Sequence, residues 1–108
     1  MDNRPTSPEA LRELANSQQA QDACWDVAKA IQRDARRLAP VKTGTLRRGI
    51  VIEEITDLDT GIEGFAVGWS DKAWYGWMVE SGTEKEPAKP HLAPAAIKNG
   101  ATFTGGDR

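Results

Sequence analysis

The chain has 108 residues, a formal net charge of -2 and 39% hydrophobic residues. That length makes one small domain, the near-neutral charge argues against a coat for nucleic acid, and the globular composition argues against wholesale disorder. A single cysteine, Cys24, and a single histidine, His91, exclude an intrachain disulfide, a Cys₂His₂ zinc site and any scheme needing two imidazoles.

Residues 1–6 are polar and contain Pro5, so a flexible N-terminus is expected there. Ser7-Pro8-Glu9 is a helix start: Ser7 can cap, Pro8 suits the first helical position, and Glu9 favours the positive end of the helix dipole. No Pro or Gly follows until Pro40. Ala20, Cys24, Val27, Ala28, Ile31, Ala35 and Leu38 fall on one face of a 3.6-residue period. The expectation is one long helix over about 7–39, with Cys24 in the core and Leu11 and Leu14 docking on another surface.

Thr43-Gly44-Thr45-Leu46 reads as a turn, and Ile50–Thr56 as a β-branched strand. Asp57–Gly61 is a turn cluster. Ile62–Trp69 alternates bulky Phe65, Val67 and Trp69 with bare Gly64, Ala66 and Gly68, a strand with one face that something must approach closely. Trp74–Glu80 reads as extended, with a short helical turn at 73–78 as the other option. Ser81–Pro87 is a loop, and 90–98 can hold a closing helix stopped by Asn99-Gly100. The predicted fold is α+β: one long helix on an antiparallel sheet of three to four strands, with a short C-terminal helix, a single domain over 7–99 and a flexible tail over 100–108.

No apolar run approaches the ~20 residues that cross a bilayer, and the N-terminus lacks the apolar core of a signal peptide. No membrane partner is expected. No dinucleotide fingerprint or phosphate loop is present, so no cofactor is expected. His91 sits beside no nucleophile elbow and reads as a packed or capping residue in a turn. Glu53 and Glu54 are neighbours on a strand, point to opposite faces and cannot share a proton. No catalytic set emerges, and the chain is read as a non-enzyme.

Two features stand out. Residues 33–48 carry Arg33, Arg36, Arg37, Lys42, Arg47 and Arg48 against Asp34 alone, whereas residues 53–63 carry Glu53, Glu54, Asp57, Asp59 and Glu63 with no Lys or Arg. Either the two patches pair in part within one chain, or the basic face of one copy meets the acidic face of the next in a head-to-tail contact that can close into a ring. A basic patch on DNA phosphates is a third reading. The second feature is aromatic crowding at Trp69, Trp74, Tyr75 and Trp77, more than one small sheet with one helix can bury: either they form the core, or at least one Trp belongs to an interface, the preferred reading.

Three strings then fall in order: Ala39-Pro40-Val41-Lys42-Thr43-Gly44-Thr45-Leu46-Arg47, Tyr75-Gly76-Trp77-Met78-Val79-Glu80-Ser81-Gly82-Thr83, and Pro90-His91-Leu92-Ala93-Pro94-Ala95. Over residues 24–97 this resembles the tail-component or neck-protein family of long-tailed phages of the Hong Kong 97 type. Gly49 stands where that family has a small polar residue, and His91 where it has an aromatic, often Phe.

The resemblance implies a structural virion protein at the head–tail junction, assembled in the host cytoplasm. It would form a ring, most often of six copies, between the connector or head-closure protein and the tail terminator or tail tube. DNA would pass through the ring without sequence-specific binding. The other options are a tail terminator capping the tube, a small DNA-binding module using 33–48, and a hydrolase subunit using Glu80 and His91. The expected subunit interface comprises both charged segments, the arm 83–97 and the aromatic strand. Besides the charged residues, it contains Trp74, Trp77, Glu80, Thr83, Pro90, His91 and Leu92. Pro87, Pro90 and Pro94 would stiffen the arm.

Overall fold

The structure is a computed structural model and describes residues 7–41 and 44–102. The expected flexible N-terminus, Lys42, Thr43 and the tail beyond 102 lie outside the described residues. Helix α1 spans Pro8–Ala15, and the Ser7 hydroxyl accepts from the Ala10 amide at 3.1 Å. The expected single helix is broken at Asn16-Ser17. Ser17 is extended and caps a new helix, α2 (Gln18–Leu38), accepting from the Ala20 amide at 3.3 Å. The break has a tertiary cause. The Asn16 side chain donates to the Gly61 carbonyl at 2.9 Å and accepts from the Glu63 amide at 2.8 Å, which fastens the joint to a distant turn. No residue of α1 is buried, and Leu11 and Leu14 stay exposed.

Helix α2 ends where Ala39 turns extended ahead of Pro40, the conformation that a following proline imposes. Gly44 takes a positive φ of 84° and leads into a four-residue helix, α3 (Thr45–Arg48), where a plain turn was expected. Strands β1 (Ile50–Thr56) and β2 (Glu63–Trp69) pair antiparallel, from Ile50 opposite Trp69 to Thr56 opposite Glu63. The ladder continues one step to the Ser70 amide on the Gly49 carbonyl, at 2.7 Å. Gly49 has a packing reason: a Cβ there would stand 2.4 Å from that of the fully buried Ala73. The connecting turn is closed by Asp57, whose carboxylate accepts from the amides of Asp59 and Thr60 at 2.8 and 3.1 Å.

Among the described residues the sheet has two strands, so the expected three to four are corrected. Residues 71–81 form a 3-10 turn (Asp71–Ala73) and helix α4 (Gly76–Ser81). A short apolar run without alternation does not separate strand from helix. Packing decides it: Gly76 sits against the Trp69 indole, with room for no side chain (2.3 Å from a built Cβ to the ring). Gly82, at φ 80°, ends α4. Helix α5 (Leu92–Lys98) closes the fold and ends at Asn99 and the left-handed Gly100.

Helix α2 packs on both strands and on α5. The core gathers Ile31, Ala35, Ala39, Leu46, Ile50, Ala73, Leu92 and Ala95, with Val67, Trp69, Tyr75 and Val79 against it. Cys24 is exposed, not buried as its place on the apolar stripe predicts. The hairpin meets this part of α2 beside the stripe, through Gln21 on the Glu63 carbonyl at 3.0 Å and Trp25 edge-on to Phe65, while Cys24 lines an open groove and Val27 is exposed as well.

Candidate assembly surfaces

The basic segment divides in two. Arg36 donates to the Ile50 carbonyl at 3.0 Å, beside Gln32 at 2.9 Å, and Arg47 donates to the Ala39 carbonyl at 3.3 Å. These two guanidinium groups fasten α2 and α3 to the chain's own backbone. Arg33, Arg37 and Arg48 are exposed. Asp34 sits beneath Arg33 and Arg37 as a buried carboxylate. It meets Arg33 at 3.3 Å, Arg37 at 3.6 Å and Lys98 at 3.7 Å, and accepts from the Asn99 amide at 3.0 Å. The Asn99 and Arg33 hydrogen bonds, helped by the charges of Arg33 and Lys98, outweigh burial and hold its carboxyl down to about 2 from 3.8. Counting charges along the sequence shows Asp34 as a lone acid; its role as the pin between α2 and α5 depends on Asn99, 65 residues away.

The acidic residues Glu53, Glu54, Asp57, Asp59 and Glu63 are all exposed on the hairpin and its turn. None forms an ion pair with a described Lys or Arg: the ion pairs of the described residues centre on Asp34 and on Glu80–His91. Partial pairing of the two patches within one chain is therefore absent among the described residues. The strand length separates them. Residues 50 to 56 span about 20 Å at ~3.3 Å per residue, with the basic corner at the start of β1 and the acidic turn beyond its end.

Three members of the expected interface are interior and leave the candidate surface. Glu80, His91 and Leu92 are 6%, 0% and 4% exposed. The Glu80 carboxylate accepts from the amides of His91, Leu92 and Ala93 at 3.0, 2.8 and 3.0 Å, satisfying the otherwise unpaired N–H groups at the start of α5. The Trp69 indole donates to His91 Nε2 at 3.0 Å. An indole N–H can only donate, so Nε2 accepts and the ring proton sits on Nδ1, facing the Lys89 carbonyl at 3.1 Å and Glu80 at 3.2 Å. The expected arm likewise folds back: α5 lies on the core, and only 83–90 remain exposed as a loop. Thr83 shapes that loop, its hydroxyl accepting from the Lys85 and Glu86 amides, and Pro90 is exposed at its end. Trp74 is 64% exposed, and Trp77 is half-buried.

Of the concavities among the described residues, two are lined mainly by apolar side chains. One, of about 780 Å³, is lined by residues 64–69 of β2, by Cys24, Val27 and Ile31 of α2, and by Leu92 and Ala96 of α5. Successive side chains alternate across a strand, so a groove touching six in a row runs along the open edge of β2, where the expected third strand would lie. At Gly68 the bare face of β2 meets nothing within 4 Å of a built Cβ, and at Gly64 the neighbour is Ile55 of β1 at 4.0 Å. The other, of about 330 Å³, is mostly apolar and opens between α3, α4 and the 83–90 loop.

The domain is thus a helix-backed hairpin with charged and apolar surface exposed. Residues 8–82 match the family described as "Bacteriophage HK97-gp10, putative tail-component", and the chain belongs to that family. No curated protein and no solved structure matches it. Among the described residues, no helix is long and apolar enough to cross a membrane.

Proposed function

We propose that this tail component is a structural subunit of the phage neck or tail-completion ring, without chemistry of its own. In this reading copies associate head to tail around the DNA channel, six being the expected number, between the head connector and the tail. The supporting observation is the pair of opposite charge patches: among the described residues, the exposed acids of the hairpin and the exposed arginines of 33–48 form no ion pair with each other. A domain that neutralised them internally would have no use for a neighbour. Duplex binding as the main task is less favoured, because Arg36 and Arg47 are committed to backbone carbonyls and leave three exposed guanidinium groups among the described residues of the 33–48 segment.

Light scattering of the purified chain tests it. A multimer is expected at low salt, dissociating as salt rises and the screening length falls from ~10 Å at 0.1 M to ~3 Å at 1 M. A monomer at every salt concentration, or absence of the protein from purified virions, overturns it. Steeply salt-dependent duplex binding by that monomer would favour the DNA-binding reading.

A further inference from the structure

Leu58 is 96% exposed, more than any other large apolar residue described, at the tip of the β1–β2 turn. It lies between Asp57 and Asp59, on a turn fixed by the Asp57 carboxylate and by the left-handed Gly61. A solvated turn has no use for a leucine at its apex, and a rigid turn presents it as a knob. At the other end of the hairpin, the 330 Å³ concavity is walled by Pro40, Leu46, Tyr75, Met78 and Val79, with Lys89 at its edge. The Arg48 guanidinium lies over Gly44 on the same wall, 2.6 Å from where a Cβ would stand. Glu86 also lines it, one acid against these two cations.

We infer that Leu58 of one copy seats in this concavity of the next, with Asp57 and Asp59 meeting Arg48 and Lys89 at its mouth. The occupant is a second copy because the chain cannot reach its own socket: the length of β1 stands between tip and pocket. The charges beside the knob are opposite in sign to the two cations beside the socket. Knob and socket are different surfaces, so the contact is heterologous and propagates from copy to copy until it closes. The inference rests on the ring reading above and names its contact.

The test uses the full chain in a Cys24→Ser background carrying Leu58→Cys and Met78→Cys. Oxidation is expected to give a covalent ladder beyond the dimer that stops at one closed species, while each single-cysteine control stops at the dimer. Leu58→Asp is expected to weaken assembly at least about tenfold with an unchanged circular dichroism spectrum, since the side chain makes no core contact. If the parent chain is multimeric yet the double-cysteine chain stops at the dimer and Leu58→Asp leaves the mass unchanged, the knob and socket are wrong and the ring stands. A ladder with no closed end keeps the contact and overturns the ring. A monomeric parent chain overturns both.

Discussion

The indole nitrogen of Trp69 donates to Nε2 of His91 across 3.0 Å, and the two rings meet edge to face with centroids 5.7 Å apart. One bond thus ties the end of β2 to the start of α5. The histidine supplies both a planar ring for the contact and an acceptor for the indole.

His91→Phe should therefore preserve the packing and lose the acceptor. A cost of about 1–2 kcal/mol is expected, from leaving the Trp69 N–H without its partner. Urea unfolding followed by tryptophan fluorescence measures it, and an unchanged midpoint would show that the bond contributes nothing.

Glu80→Ala should be more damaging. It removes a buried carboxylate that accepts from three amides of α5, and a loss of about 3 kcal/mol is expected. Hydrogen exchange of the Leu92–Ala96 amides should accelerate before that of α2, because the cap holds α5 in particular.

Asp34 gives the pH dependence. Its folded carboxyl titrates at about 2 against 3.8 unfolded, so the unfolded chain takes up the proton first as pH falls. The stability it contributes is fully present above pH 3.8 and is lost as pH falls through about 2. Asp34→Asn should be less stable than the parent at pH 7, with the difference closing across that window. Urea midpoints at several pH values read it directly.

Two glycines should part company. Gly76→Ala drives a methyl into the Trp69 ring and should cost about 1–3 kcal/mol. Gly68→Ala meets open space and should be neutral or stabilise by about 0.5–1 kcal/mol, since glycine in a strand interior weakens it. Thermal melts of the two variants separate them.

The local signals in the sequence were readable because each acts within a turn of its own residue. Ser7 caps, Pro40 stops α2, Gly82 and Gly100 take positive φ, and Asp57 closes a turn. What stayed hidden depends on partners far along the chain. Nothing near Asn16 announces its bonds to Gly61 and Glu63, so the α1–α2 break could not outweigh an unbroken helical pattern. Nothing near Trp74–Glu80 announces that Gly76 must fit under Trp69, so the extended reading was preferred where the chain forms helix α4. Glu80 and His91 were placed in the expected interface because they flank a proline-rich loop, although His91 by itself read as a packed or capping residue; their burial follows from α5 folding back onto the core. The two charged segments were visible as composition, but only the structure separates the arginines bound to backbone carbonyls from those facing out.

The Asn16 side chain, gripping one peptide stretch by both its oxygen and its nitrogen, does what a rung of a neighbouring strand would do. A tug on the acidic hairpin therefore loads both bonds together and is passed to the elbow between the first two helices.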